Sequence, residues 1–464
     1  MSSWRDRLLS LRLGQPGHGG FCVARYEGRV VFVRHGLPGE LVQARVTEDR
    51  GGAFCRADAV EIVEASPDRV PATCPVSGPG GAGCCDFSFA TPAAQRRLKA
   101  AVVAEQLQRI TGIDRAVEVE PVTGYGDRTG GWRTRIRLAV DSEGRAGVHR
   151  YRSTGVLTDL RCPQPVSGAL EGIRGHRWTP GAELVVAVDD AGARHIVEVA
   201  PPAETEQRRD TGRGGRRGPG GKPVRRSAGP RGRREPDEPG ANFVGAEPDT
   251  AGAQRRRALA RRAAAHSDRD EWVVEGTGRA LQEVAGRRWE VSAAGFWQAH
   301  RGAAQCYSDL VAEWAAVETG ATAWDLYSGT GVFAARLAEQ TGSTGRVLAL
   351  ESSRTAVAEG RAALSDLPWL DLRGGRVEQW VTGPRETRPQ VVVLDPPRAG
   401  AGKPVVGAVT AAAPDRIVHI GCDPASFARD LRLYLDGGYG LTALRAFDAF
   451  PATHHVECVA LLER

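Results

Sequence analysis

The chain has 464 residues, 25% of them charged, with a formal net charge of +6 at pH 7 and nine cysteines. A chain of this length is expected to form two or three domains, and it holds no apolar run of the roughly eighteen residues that a membrane span requires. The N-terminal region lacks the apolar core of a secretory signal, so we expect a cytoplasmic protein. In that reducing compartment, clustered cysteines more often bind metal or act in catalysis than form disulfides.

The positive charge is concentrated in one stretch. Residues 208–234 hold eleven Lys or Arg and one Asp, which gives this segment +10 and leaves about −4 for the remainder. The surrounding chain is rich in Gly, Pro, Arg and Glu and poor in apolar residues, so 201–265 are predicted as a disordered insert, with a helix at 255–265. A basic arm favours a polyanionic partner, and a solvated insert without a partner fits the composition equally well.

Residues 1–67 are predicted to form a small β domain. Segments 30–33 and 41–46 are strand-like, and a turn rich in Gly and Pro separates them. Strands so closely spaced predict a small barrel of the OB type, an architecture often used to bind oligonucleotides. The segments at 17–24 (GHGGFCVA) and 31–40 (VFVRHGLPGE) resemble the TRAM domain, an RNA-binding barrel found on RNA-modifying enzymes.

Two further domains are predicted beyond the barrel. Residues 68–200 are expected to form a central α+β domain, with an amphipathic helix at 91–112 followed by a β-rich region. From 266 to 464 apolar strands and helices alternate, which predicts an α/β domain with a Rossmann-like, parallel, doubly wound sheet.

The first strand of this last domain leads into a glycine-rich turn. Gly329 and Gly331 lie between a strand at 323–327 and a helix at 332–340, and Glu351 ends the next strand. Such a turn lets a cofactor approach the backbone, and the acidic residue can bind ribose hydroxyls. Dinucleotide binders and methyltransferases share this pattern, and a merely structural turn is also compatible with it. Residues 325–331 (DLYSGTG) resemble the first motif of class I S-adenosylmethionine methyltransferases, and Ala334 stands where the dinucleotide fingerprint has its third glycine.

Three reactive side chains stand where apolar strands meet loops near the C-terminus. Asp395 follows the strand at 391–394, Cys422 follows the strand at 416–420, and Glu457 ends the segment 450–457. In an open α/β sheet these strand ends line the ligand crevice, so we expect a thiol and two carboxylates to share one pocket. A single cysteine at a strand end is more often a small buried apolar residue, and the surrounding motifs decide between the two interpretations.

Four segments, in order, resemble motifs of the RNA uracil-5-methyltransferase family. They are 296–298 (FWQ), 395–400 (DPPRAG), 421–431 (GCDPASFARDL) and 447–457 (FDAFPATHHVE). Relatives often have Ser-Cys-Asn where this chain has Gly421-Cys422-Asp423. The resemblance covers nearly the whole chain except the insert.

The resemblance implies roles for individual residues. Cys422 would add to carbon 6 of uracil, which makes carbon 5 nucleophilic, and Glu457 would then remove the proton from carbon 5. The target uridine would have to leave any stack to reach the thiol. S-adenosylmethionine would be held by Gln298, Tyr327, Gly329 and Glu351, and Asp395 would contact the cofactor or position the base.

A group of cysteines in the central domain has a second implication. Many relatives bind a [4Fe–4S] cluster, and Cys74, Cys84, Cys85 and Cys162 lie in the corresponding places, although Ala82 stands where one cysteine is expected. Zinc, or no metal at all, is the alternative. The remaining cysteines outside the C-terminal motif, Cys22, Cys55, Cys306 and Cys458, have no partner at metal-binding spacing and are interpreted as structural.

These features predict a monomeric S-adenosylmethionine-dependent methyltransferase that forms 5-methyluridine in RNA and has no membrane partner. The TRAM-like start favours 23S ribosomal RNA over transfer RNA by analogy with relatives. A non-catalytic RNA-binding protein on the same scaffold would have no need of the nucleophile and base. A radical S-adenosylmethionine enzyme would need a Cys-x3-Cys-x2-Cys run, which the sequence lacks. A nicotinamide dehydrogenase would leave Cys422 unexplained.

Overall fold

The structure is a computed structural model that describes residues 3–202, 269–383 and 388–464. The predicted insert, its basic arm at 208–234 and the predicted helix at 255–265 lie outside the described residues, apart from 201–202. The remainder, Met1–Ala200 with Glu271–Arg464, forms one compact unit. None of the described helices is both long enough and apolar enough to cross a membrane.

The N-terminal segment folds into a barrel-like sheet of six strands in the order β1-β5-β6-β4-β3-β2. Alternate residues of the strands point inward, and small apolar side chains such as Val31, Val33 and Val42 are completely buried there. The two predicted strand segments lie within β4 and β5. The strands are β1 (Leu8–Arg12), β2 (Pro16–Gly17), β3 (Phe21–Tyr26), β4 (Arg29–Arg34), β5 (Leu41–Asp49) and β6 (Phe54–Glu64).

The central region contains the predicted helix, α1 (Pro92–Thr111). Thr91 caps its start by accepting the N–H of Ala94 at 3.3 Å, and Gly112 ends it in the left-handed conformation. A six-stranded sheet follows in the order β10-β9-β8-β11-β12-β13, so the chain returns after the insert to complete this sheet. The strands of the region are β7 (Val119–Pro121), β8 (Arg135–Val140), β9 (Ala146–His149), β10 (Val156–Leu157), β11 (Glu183–Val188), β12 (Arg194–Val199) and β13 (Glu271–Glu275). A 3-10 turn covers Ile173–Gly175.

A hairpin then leads into the C-terminal sheet, whose eight strands run in the order β18-β17-β16-β19-β20-β22-β21-β7. The hairpin is β14 (Arg279–Val284) and β15 (Arg287–Ser292). The sheet adds β16 (Thr322–Leu326), β17 (Arg346–Glu351), β18 (Leu370–Gly374), β19 (Val391–Leu394), β20 (Arg416–Gly421), β21 (Gly440–Asp448) and β22 (Glu457–Glu463) to β7. The helices are α2 (Ala303–Ala315), α3 (Val332–Thr341), α4 (Arg354–Ala363), α5 (Val377–Trp380), α6 (Gly402–Ala412) and α7 (Pro424–Asp436).

The predicted parallel, doubly wound sheet contains one antiparallel strand, β22. Strands β16 to β20 are parallel to one another, but β22 is antiparallel to both of its neighbours, β20 and β21. The connection between β21 and β22 contains no crossover helix, and adjacent strands joined without one run in opposite directions. The first residue of β22 therefore lies at the same sheet edge as the last residue of β20.

Both faces of the sheet are covered, which explains its continuous apolar strands. In β19, Val391 and Val393 pack in one core cluster with residues of α2 and α3, whereas Val392 and Leu394 pack in a second cluster with residues of α6 and α7. Burial on both faces fixes the positions of the strand ends, where the chain leaves the sheet.

Candidate active site

The three reactive residues predicted from the strand ends meet at one edge of the sheet. Gly421 pairs with Cys458 in the antiparallel register of β20 and β22, so the next residue of β20, Cys422, lies opposite Glu457. Leu394 pairs with His419 in the parallel register of β19 and β20, which brings Asp395 to the same edge. The thiol and the two carboxylates therefore face one another, as predicted.

Burial dominates the protonation of these groups. Glu457 is only 4% exposed, and burial together with the charge of Asp395 raises its pKa well above the ordinary value. Burial raises the pKa of Asp395 to about 7. Burial and the charge of Glu457 raise the pKa of Cys422 to about 12. In the free protein at neutral pH the thiol is therefore protonated, and Asp395 exchanges its proton in the neutral range.

Two residues of this site were not singled out from the sequence. The positive charge of the Arg398 guanidinium offsets part of the rise in the pKa of Cys422 and of Glu457. Its Nη2 lies 3.4 Å from Nε2 of His455. Tyr307, on α2, is completely buried, and its hydroxyl has no hydrogen-bond partner among the described residues. Its pKa is raised by burial and then by nearby Glu457, so the phenol belongs to the same cluster. Only the position of Arg398 in a recognised motif could have indicated its role, and Tyr307 has no sequence signal.

The loop after Cys422 is held by a capping residue. Asp423 Oδ1 accepts the N–H of Ser426 at 2.9 Å, which caps α7, and Asp423 Oδ2 lies 3.1 Å from Nε2 of His18 in the N-terminal barrel. Burial alone would raise the pKa of Asp423, but the bonds from His18 and Ser426 hold it well below its ordinary value. Ser426 Oγ donates to the carbonyl of Arg398 at 2.8 Å. The loop after Cys422 is thus joined both to the barrel and to the loop after β19.

The segment that leads to Glu457 is fixed from α1. Lys99 Nζ is buried and contacts Asp448 Oδ1 at 2.5 Å and the carbonyl of Phe450 at 3.0 Å. Gln95 Oε1 accepts the N–H of Ala452 at 2.7 Å. Because α1 belongs to the central region, the position of Glu457 depends on packing between regions far apart in sequence.

We expect Lys99→Ala to lower the free energy of unfolding by about 3–5 kcal/mol, because it leaves Asp448 buried without its counter-charge. Urea unfolding followed by circular dichroism measures the change. The double variant Lys99→Met/Asp448→Asn should recover most of the loss, since neither side chain then carries a charge. Equal destabilisation by both variants would show that the charge pairing contributes little.

The glycine turn forms the cofactor half of the site. Gly331 has φ 82°, and a Cβ atom there would lie 2.7 Å from Leu364, so the close packing of this turn requires glycine. The N–H of Gly329 donates to Glu351 Oε2 at 3.0 Å, and among the described residues other than its two chain neighbours no atom lies within 4 Å of a Cβ placed on Gly329. The turn therefore presents open space next to a carboxylate, which suits a ribose-bearing cofactor.

A buried carboxylate beneath the turn was not predicted as a site residue. Asp325 is completely buried, and its Oδ2 accepts the N–H of Ala334 at 2.8 Å, while Oδ1 has no partner among the described residues. Burial raises the pKa of Asp325 to about 8. A polar residue within an otherwise apolar strand was the available sequence signal. The unsatisfied oxygen and the open turn fit S-adenosylmethionine, which carries amine and hydroxyl donors.

For Tyr327 and Gln298, the structure gives only the contacts with neighbouring protein residues. Tyr327 has φ 65° and donates its hydroxyl to Glu378 Oε1 at 3.1 Å, next to the glycine turn. Gln298 is half-buried and follows Trp297, whose ring lies 6.2 Å from that of Trp289. Trp289 in turn donates to the carbonyl of Thr330 at 3.2 Å. Cofactor contacts of Tyr327 and Gln298 therefore stay predictions.

The four predicted metal ligands interact with one another. Hydrogen bonding to Cys85 lowers the pKa of Cys74 to about 7 and also lowers the pKa of Cys84. Burial raises the pKa of Cys162 to about 11. Gln164 Nε2 donates to Cys85 Sγ at 3.2 Å, and its Oε1 accepts from Arg133 at 3.0 Å.

This arrangement does not support the predicted [4Fe–4S] cluster. Within 3–202, 269–383 and 388–464, no group of three or more His, Cys, Asp or Glu side chains is arranged to hold a metal ion. Cys85 Sγ already accepts a hydrogen bond from Gln164 Nε2, so this sulfur has a protein partner. The four-ligand set inferred from Cys74, Cys84, Cys85 and Cys162 is therefore not supported by the residues that the structure describes.

The sheet, the glycine turn and Glu351 are shared by dinucleotide binders and methyltransferases, and the comparisons with known proteins decide between them: the chain is an S-adenosylmethionine-dependent methyltransferase. A family model described as tRNA (Uracil-5-)-methyltransferase matches residues 386–464, and a TRAM domain model matches 11–60. A Streptomyces avermitilis protein named "Uncharacterized RNA methyltransferase" is 39% identical over 466 residues, which cover 98% of this chain and 97% of that protein. The chain belongs to the RNA uracil-5-methyltransferase family, with an N-terminal TRAM domain.

Two further similarities bear on the RNA substrate. The 23S rRNA (uracil(1939)-C(5))-methyltransferase RlmD of Alkalilimnicola ehrlichii is 29% identical over 473 residues, covering 96% of this chain and 94% of that enzyme. The crystal structure of Pyrococcus abyssi tRNA (uracil-54, C5)-methyltransferase, in complex with S-adenosyl-L-homocysteine, has a TM-score of 0.62 at 19% identity, covering 98% of this chain and 100% of that one. The structural similarity establishes a shared fold for the two chains.

Proposed function

We propose that this enzyme methylates carbon 5 of a uridine in 23S ribosomal RNA through a covalent adduct between Cys422 and carbon 6, and that it acts as a cytoplasmic monomer. The observation that carries the proposal is the position of Cys422 opposite Glu457, with Asp395 at the same sheet edge. A thiol and a proton acceptor on facing strands suit a reaction that needs a nucleophile first and a base afterwards.

The chemistry of each step uses a named side chain. The Cys422 sulfur forms a bond to carbon 6, and the electrons of the 5,6 double bond move to the carbonyl oxygen at carbon 4, which makes carbon 5 nucleophilic. Bound S-adenosylmethionine supplies the methyl group that carbon 5 then acquires. Glu457 takes the proton from carbon 5, the double bond re-forms, and Cys422 leaves as a thiolate. Burial favours this last proton transfer, because a carboxylate with a raised pKa is a stronger base once it is ionised.

The thiol must lose its proton before it can attack. Asp395 is the better matched acceptor at neutral pH, because its pKa is raised to about 7. Asp395 returns the proton when the thiolate leaves, so the only proton released in one turnover is the one from carbon 5. Arg398 assists because its positive charge stabilises the thiolate.

The ribosomal substrate is supported by the similarity to the 23S enzyme, which extends over nearly the whole of both chains. Transfer RNA is the second candidate, since the matching family model and the similar crystal structure both carry transfer RNA descriptions. A non-catalytic RNA-binding role is disfavoured because it would leave the buried thiol and carboxylates without a use.

Tritium release separates these candidates. Methylation at carbon 5 of RNA labelled with [5-³H]uridine frees tritium into water only when S-adenosylmethionine is present. We expect release from 23S ribosomal RNA fragments and little from transfer RNA transcripts. Release from transfer RNA alone would reassign the substrate, and no release from either RNA, with cofactor binding confirmed, would overturn the proposed activity.

The raised pKa of Cys422 predicts how the free thiol responds to pH. Only the thiolate reacts with iodoacetamide, so its alkylation should quicken about tenfold for each pH unit between pH 7 and 10, because the pKa of about 12 lies above that range. Arg398→Gln should slow alkylation by about threefold to tenfold, since it removes the cation that lowers this pKa. Peptide mass spectrometry resolves Cys422 from the other cysteines, and Arg429→Gln, an exposed change on α7, is the control. A plateau near neutral pH would contradict the assignment of a partly buried thiol that is protonated at neutral pH.

A further inference from the structure

The outer surface of the N-terminal barrel carries phenylalanines where solvated strands usually carry polar residues. Successive strand residues point to opposite faces, and the alternate positions of β3 and β4 are buried in the barrel core. Phe21, Phe32 and Phe54 therefore lie on the outer face. Their ring centroids are separated by 6.1 Å for Phe21 and Phe32 and by 5.7 Å for Phe32 and Phe54. We call these three residues the phenylalanine face.

Cations border the phenylalanine face. The guanidinium carbon of Arg56 lies 5.8 Å from the ring centroid of Phe21 and 5.5 Å from that of Phe54. Arg56 also contacts Glu48 at 3.4 Å, so part of its charge is offset. Arg25 is exposed at the end of β3, on the same side as Phe21, and forms no ion pair with any residue that the structure describes. Aromatic rings beside arginines are the combination that binds nucleotides by stacking and charge.

The loop that leads into the phenylalanine face lies beside the active site. The loop that immediately precedes Phe21 contains His18, whose Nε2 lies 3.1 Å from Asp423 Oδ2, the residue next to Cys422. Gly20, in the same loop, packs so closely that a Cβ atom there would lie 3.1 Å from Asp86 and 3.4 Å from His454. The loop therefore forms part of the wall beside the thiol, and Phe21 stands where that wall meets the outer surface of the barrel.

We propose that the phenylalanine face holds unstacked nucleotides of the single-stranded RNA that flanks the target uridine. The proposal rests on the proposed function, because it takes RNA as the substrate. The planes of neighbouring rings are inclined at 64° and 70°, so bases stacked on them cannot be parallel, and the rings suit splayed bases rather than a continuous stack. Splayed flanking bases would also leave the target uridine unstacked where it enters the pocket of Cys422.

Fluorescence anisotropy with a short single-stranded RNA that contains the target uridine tests this proposal. The background carries Cys422→Ala, so that binding is measured without chemistry. Phe54→Ala and Phe32→Ala should each weaken binding by about tenfold or more, whereas Phe54→Tyr, which keeps a ring, should bind like the parent. Val63→Ala is the matched control, because Val63 is 49% exposed on the same strand as the equally exposed Phe54 but near its other end.

Salt dependence gives a second readout that a folding defect would not produce. The phenylalanine changes should leave the slope of log affinity against log salt unaltered, because stacking releases no counterions. Arg25→Gln should instead reduce that slope by about one if Arg25 contacts a phosphate. Thermal unfolding midpoints equal to that of the parent establish that the variants are folded.

The outcomes separate this inference from the proposed function. Unchanged RNA affinity in both Phe→Ala variants would overturn the inference. Unchanged RNA affinity with weakened binding to the large ribosomal subunit would also overturn it and assign the face to a protein component. Weakened RNA binding without tritium release from any RNA would support the face as an RNA site and overturn the proposed methylation instead.

Discussion

Cys422→Ala is expected to abolish methylation and to remove every covalent complex between enzyme and RNA. Carbon 5 of uracil is a poor nucleophile until a thiolate adds to carbon 6. Without the sulfur of Cys422, the uracil is therefore not activated for methyl transfer. We expect the rate to fall on the order of 10⁴-fold or more, as in other enzymes that lose their nucleophile. The fold should be unaffected, because Cys422 is only partly buried and lies at a strand end.

RNA that contains 5-fluorouridine makes the adduct visible. Fluorine at carbon 5 cannot leave as a proton, so the bond between sulfur and carbon 6 persists through a denaturing gel after the methyl group has been transferred. Cys458→Ala is the matched control, because Cys458 follows Glu457 in sequence but is completely buried in β22. A slow band that survives Cys422→Ala, or vanishes with Cys458→Ala, would refute the assignment of the nucleophile.

The sequence predicted where the three reactive residues lie better than it predicted the residues that hold them in place. Asp395 and Cys422 were identified because each ends an apolar run, and strand ends of a covered parallel sheet meet at one edge. Glu457 was placed correctly for a less general reason. Its strand is antiparallel, and only this reversal brings the first residue of β22 opposite the last turn of β20.

The residues that hold the site could not be predicted, because their partners are distant in sequence. Lys99 and Asp448 are 349 positions apart, and neither a buried lysine nor its counter-charge has a local signature. The contact between His18 and Asp423 joins the barrel to the loop that follows Cys422. The motif resemblance had marked Asp423 only as a departure from the common Asn, and the structure supplies a partner for the carboxylate.

The cysteine group shows the limit of spacing arguments. Position along the chain placed Cys74, Cys84, Cys85 and Cys162 together, and their mutual effects on pKa confirm that they are neighbours. Whether neighbours can share a metal depends on where each sulfur points, and that direction follows from hydrogen bonds such as the one from Gln164 to Cys85. Sequence spacing contains no information about such bonds.

Glu457→Gln is expected to stall the reaction after methyl transfer, with the enzyme still bound to its RNA. The amide keeps the shape of the buried side chain but cannot take the proton from carbon 5, so Cys422 cannot leave. We expect turnover to fall by about 10²- to 10⁴-fold, the usual contribution of a positioned base. A covalent complex should now accumulate with RNA that contains ordinary uridine, which the unaltered enzyme releases.

Glu457→Gln should slow the removal of the proton from carbon 5, but it should make the thiol of Cys422 easier to ionise. After burial, the charge of Glu457 is the largest contribution to the raised pKa of Cys422, so its removal should lower that pKa and quicken alkylation of the free thiol by iodoacetamide. Glu463→Gln, at the far end of β22 beside Arg416, should alter neither measurement. If Glu457 had only a structural role, Glu457→Gln would slow both turnover and the alkylation of Cys422, or neither. Turnover at the normal rate in Glu457→Gln would transfer the role of base to Asp395, the other carboxylate that faces Cys422 at this edge of the sheet.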